Sequence, residues 1–412
     1  MGKLEGASGM VLKGDGNACG LTFKNGDKIS LPSGRTFNYE EDTYSSPDAV
    51  YRATRNPKWL KMPEPEDNEI YMLMHISDSS ELIAFYMTGC DCTVETGTSV
   101  DGVFVADEGS AQTVTNGVRY ENEIMYQDAY SELDDGTRQI MIRINGSGNI
   151  TNFYIDAHSK GSTLSFMSWK VVEWWGRLPR CQKIYLSDSS NPYKRLHSLR
   201  YIRVAGPNRI TKVTELCNGL PNIIAILELD TSAALGMAFD YFCKDCPKLL
   251  AMPVIKLVST VVFSYAFYNS GLHKIEVQNS EKITRAYNKT FQSCASLEEL
   301  DIDTSNISRA FELSGLTSLK RFHMDTTSMT EGVVFSELYS LAELIFSTEN
   351  KVPSSIQIIR CALSYDALLD TLASIPEAQA ARTLTLTGTR GAKELTEDDI
   401  AAMTAKNWTV VI

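Results

Sequence analysis

The chain has 412 residues, 43% of them hydrophobic and 22% charged, a composition that excludes a disordered polymer and, at this length, a single small core. Its formal charge of −12, with no cluster of Lys and Arg, excludes affinity drawn from phosphate neutralisation, so no nucleic-acid partner is expected. Nine cysteines fall short of a disulfide scaffold and fit a reducing compartment. The start, Met1 to Gly9, has no apolar core, and no run reaches the roughly 18 apolar residues of a membrane span, so neither ordinary export nor membrane insertion is expected.

In chain order, residues 1–50 are rich in Gly, Ser, Asn and Asp and carry only brief β-like pieces, Leu21–Lys24 and Lys28–Leu31; they predict an extended arm suited to attachment. Residues 51–165 hold apolar bursts at Ile70–Ile76, Leu82–Met87, Thr93–Val105, Ile140–Ile144 and Phe153–Ile155, separated by Asp-Ser-Ser, Asp-Asp-Gly and Gly-Ser-Gly turns. Short strands at this spacing predict an antiparallel, sandwich-like β domain. Residues 166–195 form a Trp-rich junction with Trp169, Trp174 and Trp175, whose large rings are expected to fill core rather than bind ligand, and serve as the N-cap of the C-terminal half.

From residue 196 to 362 one pattern recurs, apolar at its first, fourth and sixth positions: Leu199, Ile202, Val204; Ile224, Leu227, Leu229; Leu249, Met252, Val254; Leu272, Ile275, Val277; Leu297, Leu300, Ile302; Leu319, Phe322, Met324; Leu341, Leu344, Phe346. Seven units at intervals of 22 to 25 residues, with Tyr193, Phe242, Phe267, Phe291 and Phe335 ahead of most anchors, predict a leucine-rich-repeat solenoid with an aromatic spine. Ser364–Ile375 then reads as an amphipathic helix and Thr383–Gly388 as a closing strand, with Thr396 placed to cap a last helix, so residues 363–412 are expected to form a C-terminal α/β cap. The expected fold class is therefore multidomain: an N-terminal all-β, sandwich-like region followed by the solenoid and its cap.

The phrases Tyr265-Ala-Phe-Tyr-Asn-Ser-Gly-Leu272 and Thr290-Phe-Gln-Ser-Cys-Ala-Ser-Leu297 resemble the surface-antigen (BspA-like) class of leucine-rich repeats found in bacterial surface proteins and bacteriophage virion proteins. Leu395–Ile400 and Asn407–Val411 are similar to the C-terminal caps of that class. Asn56-Pro-Lys-Trp-Leu-Lys-Met-Pro63 and the following Ile70–Ile76 resemble the module ahead of such repeats in phage tail proteins, although Thr93–Thr98 stands where that module has a Val-Asp-Trp-Gly-Asp-Gly-like turn. The resemblance implies a non-enzymatic structural protein of a phage tail, baseplate or fibre, located in the virion and assembled in the host cytoplasm. Its partners would be other virion proteins, met through the N-terminal arm, with a host cell-surface protein or glycan and a homo-oligomer as further options. The alternative it implies is a bacterial leucine-rich-repeat adhesin or interaction protein.

Catalytic, cofactor and metal constellations are not found in the sequence. Cys243-Lys-Asp-Cys246 has the spacing of half a zinc site, but no second pair follows, and Cys246 and Cys294 recur at one place in their repeats, as small packed side chains do. Cys90-Asp-Cys92 alternates as in a strand. The five histidines, His75, His158, His197, His273 and His323, form no ligand pair; no Gly-x-Ser-x-Gly elbow occurs; and Gly14–Gly20 lacks the spacing of a dinucleotide loop. The strand positions between the anchors point outward and define the candidate partner-binding face: Arg200, Tyr201, Arg203, Lys274, Glu276, Glu298, Asp301, Asp303, Arg321 and His323.

Overall fold

A computed structural model describes residues 46–77, 80–155, 170–187, 196–214, 216–286, 289–347 and 352–412, with the backbone of three short strands, Val11–Gly14, Cys19–Thr22 and Lys28–Ser30. The rest of residues 1–45, the interior of the Gly14–Gly20 segment, His158, Trp169 and Tyr193 lie outside the described residues.

The strands between Glu69 and Glu228 form two sheets. The larger has eight strands in the order Ala225–Glu228, Tyr201–Val204, Val171–Arg177, Glu69–Ile76, Arg138–Gly146, Cys92–Val100, Val103–Ala106, with Gln112–Val114 also paired to Cys92–Val100. The smaller has the order Lys183–Tyr185, Asn152–Ile155, Ser80–Thr88, Tyr120–Met125. Glu69–Ile76 lies centrally and is buried at every residue because both its faces are covered. The strand's period of two divides it: Ile70, Met72, Met74 and Ile76 join the main core with Phe85, Phe153 and Trp174, while Tyr71 and Leu73 join a second core with Trp59, Met62, Leu133 and Tyr201.

The second core exists because helix α1, Pro47–Thr54, and the Asn56–Pro63 stretch cover the back of the large sheet. Ser46 caps α1 by accepting from the Ala49 amide at 3.2 Å, and Pro47 opens it, where a missing N–H costs nothing. The predicted strand Thr93–Val105 is instead a hairpin, Cys92–Val100 and Val103–Ala106, because Asp101 and Gly102 both take positive φ (54° and 86°) and turn the chain back in two residues. Thr93–Thr98 is accordingly strand and not turn.

The expected fold class is corrected. Among the described residues the chain is mostly β, divided over several small sheets with three α-helices, and neither a single continuous repeat ladder nor a separate α/β cap is present. The anchors Tyr201–Val204 and Ala225–Glu228 continue the eight-stranded sheet of the first half through parallel pairing with Val171–Arg177. Ile255–Lys256, Lys274–Gln278 and Glu299–Asp301 form a three-stranded sheet, Val261–Phe263 and Ile283–Ala286 a pair, and Arg321–Asp325 and Glu343–Ser347 another pair. Arg382–Thr385 and Trp408–Val411 are no cap: they complete a five-stranded parallel sheet with Phe311–Ser314, Val333–Ser336 and Ser355–Ile359. The physical reason is register: a sheet continues only where successive backbones come into hydrogen-bonding range, and between Glu299–Asp301 and Arg321–Asp325 they do not.

Most of the anchors are buried, but Ile224, Leu227, Met252 and Val254 are only half-buried, with Ile223, Ile226, Ala251 and Ile255 buried beside them. The aromatics touch, Phe242, Phe267 and Phe291 standing in file with ring centroids 6.3 and 5.7 Å apart, and Phe322 meeting Phe311 and Phe335. Helices α2, Tyr365–Ser374, and α3, Glu397–Ala405, pack near the C-terminus. Ser364 caps the first and a Thr396/Asp399 capping box the second, while the Lys406 ammonium donates to the carbonyls of Leu372, Ala373 and Ile375 at the end of α2. No helix among the described residues is long and apolar enough to cross a membrane.

Candidate functional site

The break between the strands Glu299–Asp301 and Arg321–Asp325 opens a groove of about 280 Å³. Alternation in each strand sets its lining: Leu300, Ile302 and Phe322 are buried and form the floor, while Glu299, Asp301, Arg321 and His323 are exposed and form the walls. Two contacts close its ends. At one, the Lys320 ammonium donates to Glu298 at 2.6 Å; at the other, the Thr304 hydroxyl bonds both backbone groups of Asp325.

Charge alternates across the strands at this face. Lys274 lies 3.8 Å from Glu299 on the neighbouring strand and 3.6 Å from Glu276 on its own, and His323 pairs with Glu343. Lys320, by donating to Glu298, holds that carboxyl below the ordinary carboxylate range, with His273 adding to the effect. The wall therefore carries fixed charges of both signs above an apolar floor, an arrangement that can order a polar partner segment while burying its apolar side chains.

Of the ten residues proposed from sequence, Glu298, Asp301, Arg321 and His323 line this groove, and Lys274, Glu276 and Asp303 flank it on the exposed side. The other three lie elsewhere. Tyr201 is fully buried beneath α1, its ring 4.9 Å edge-on from Tyr51, so it belongs to the second core and to no open face. Arg200 is exposed but stacks on Trp59, and Arg203 lies over Trp175 and pairs with Glu64 and Glu228. Aromatic rings from before the repeats thus occupy those positions.

That cover is anchored by a buried ion pair. Arg55 Nε donates to Glu173 at 2.6 Å and the Tyr51 hydroxyl donates to the same carboxylate at 3.2 Å, while Arg55 also reaches the carbonyls of Trp59 and Leu60. Burial raises the Glu173 carboxyl to about 7 even though Arg55 and Tyr51 pull it down. His75, packed edge-on to Trp59 at 4.8 Å, is pushed down by burial to about 4. The sequence did hold a signal for this element, since Ser46-Pro47-Asp48 is a helix-start signature, but nothing marked Glu173 as its partner 118 residues from Arg55.

The cysteines are packing groups. Cys217 and Cys243 touch through sulfur at 3.6 Å, Cys246 donates to the Cys217 carbonyl at 2.8 Å and Cys294 to that of Phe267 at 2.8 Å. All four are buried, which pushes their thiols up. Among the described residues no group of three or more His, Cys, Asp or Glu is placed to hold a metal ion. No family model matches the sequence, and no curated protein or solved structure is similar to it.

Proposed function

We propose that the chain is a non-enzymatic attachment protein whose outer strand face holds another protein, working in a bacteriophage virion as a component of the tail, baseplate or fibre. The groove between Glu299–Asp301 and Arg321–Asp325 carries this reading: an apolar floor with fixed charges of both signs above it suits recognition of a partner segment. The virion setting, with assembly in the host cytoplasm, rests on the resemblance of Tyr265–Leu272 and Thr290–Leu297 to repeats of virion and surface proteins. The N-terminal arm, expected from sequence over residues 1–50 although Pro47 onward belongs to α1, is assigned to attachment to neighbouring virion proteins, with a host-surface partner or a homo-oligomer as further partners of the same strand face.

A photo-crosslinking side chain introduced at Asp301 in cells assembling particles tests this. Adducts with another structural protein are expected from Asp301 and not from Ala402, exposed on α3. The same adduct pattern from both positions, or none from Asp301, overturns the reading.

A further inference from the structure

Away from the groove, three tyrosines and two lysines gather at one edge of consecutive turns. The Tyr241 and Tyr265 rings stack at 5.4 Å and 21°, and Tyr268 lies 6.0 Å from Tyr265. The Lys244 ammonium stands 5.5, 5.7 and 5.9 Å from the centroids of Tyr241, Tyr265 and Tyr268, and Lys289 stands 5.8 Å from Tyr265. Tyr265 and Tyr268 stand in the repeat-like phrase Tyr265–Leu272, but outside the anchor pattern, so nothing in the sequence marked them as a surface cluster.

Two features separate this cluster from ordinary packing. Tyr241 and Tyr265 hold φ of 57° and 53°, the left-handed region that Gly219, Gly315, Glu337, Arg360 and Gly388 occupy at other turns. A bulky aromatic residue there is less favoured than glycine. Yet the rings gain little burial in return: Tyr241 is 36% exposed, and Tyr265 and Tyr268 are only half-buried. None of the three hydroxyls has a hydrogen-bond partner among the described residues. The turn conformation is shared with other turns; what sets this cluster apart is that its stacked rings stay partly exposed with two ammonium groups beside them.

The charge is local. Lys244 lies 3.7 Å from the Asp245 carboxylate, which also accepts from Asn269 at 3.0 Å, and Lys289 has no ion-pair partner among the described residues, so the patch carries an unpaired ammonium on a chain whose formal charge is −12. Exposed ring surface matches the C–H faces of a pyranose, hydroxyls match its hydroxyls, and paired ammonium groups match a carboxylate or sulfate upon it. A long polyanion is disfavoured by the overall charge, whereas an isolated acidic sugar is not.

We infer that Tyr241, Tyr265 and Tyr268, with Lys244 and Lys289, form a binding site for an anionic glycan. The site is independent of the groove assigned to a protein partner, and the two are separable by mutation.

The full-length protein is tested on an array carrying uronate, sialate and sulfate glycans beside their neutral counterparts and an acidic peptide of matched charge. Anionic glycans are expected to bind at least about tenfold more tightly than neutral ones and than the peptide, with the preference falling as salt rises. Tyr265→Gly removes a ring while relieving the left-handed backbone, so its fold is retained; it and Lys244→Gln are each expected to lose at least about tenfold in affinity. The groove variant Asp301→Lys/Arg321→Glu is expected to bind glycan as the wild type does. Binding of no anionic glycan, equal binding of neutral glycans or peptide, undiminished binding by Tyr265→Gly, or loss in the groove variant overturns the inference.

Discussion

Thr304 Oγ1 lies 2.8 Å from both the amide nitrogen and the carbonyl oxygen of Asp325, accepting from the first and donating to the second. Thr231 treats Lys256 in the same way, at 2.7 and 3.1 Å. A hydroxyl is the smallest group that can do both at once, so a buried threonine can join two turns where strand pairing is missing. Thr304→Val should leave both groups of Asp325 unsatisfied and destabilise the protein by about 1–3 kcal/mol, with Thr304→Ser recovering most of the loss. Urea unfolding checks this, and an unchanged midpoint for the valine variant contradicts it.

Gly271, within the repeat-like phrase Tyr265–Leu272, owes its identity to crowding and not to φ. A Cβ built there would stand 2.3 Å from the Pro247 carbonyl oxygen of the preceding turn, which is backbone and cannot swing away. Gly271→Ala should therefore destabilise by roughly 2 kcal/mol although alanine ordinarily restricts the unfolded chain favourably. A thermal midpoint equal to or above the wild type's would refute the steric account.

The two buried titratable groups beneath α1 give opposite pH signatures. Glu173 binds its proton below about 7 in the folded chain and below about 4.5 in the unfolded one, so folding takes up a proton in that window and its contribution becomes more favourable as pH falls. His75 is protonated below about 6.5 when unfolded and only below about 4 when folded, so unfolding takes up the proton and stability falls with pH. Relative to wild type, Glu173→Gln should lose about 3 kcal/mol between pH 7 and 4.5, and His75→Leu should gain about 3 kcal/mol between pH 6.5 and 4. Denaturant titrations across that range check both slopes, and a shared sign would contradict the assignments.

Removal of residues 1–45 should leave the fold intact, because α1 begins at Pro47 and its cap is Ser46. The proposed role of the segment in attachment then requires that the truncated protein fail to enter particles. Extending the deletion through residue 55 should in addition destabilise the fold by about 3–5 kcal/mol, since Val50 and Tyr51 would leave the second core and Glu173 would lose Arg55. Unfolding curves of the two truncations, set beside particle incorporation, separate the effects.

The sequence made most of the burial pattern plain, missing it at Ile224, Leu227, Met252 and Val254, and left the sheets obscure, for one physical reason. Leu300, Phe322 and Leu344 recur because each must leave water, and that requirement is written in residue type. Whether Leu344's strand pairs with Phe322's, and Phe322's with Leu300's, depends on backbone register set by the intervening turns, where Ile275 pairs with Leu300 and the ladder stops before Phe322. The groove is that unwritten break. Asp301, Arg321 and His323 were legible as outward positions from alternation alone, whereas the cover over Tyr201 depends on contacts from α1, distant in the chain. Asp101-Gly102 shows the opposite failing: the turn signal was present in the two residues, and the apolar run on either side concealed it.

The most direct test compares particles assembled with the wild-type chain and with Asp301→Lys/Arg321→Glu, using immunogold labelling by an antibody raised against residues 196–362. An attachment protein that works through the groove should label one defined substructure of wild-type particles, and the variant should lose at least about tenfold of that label while folding normally. Clean wild-type particles with label only on cell surfaces, or equal labelling of both particle types, would contradict the account.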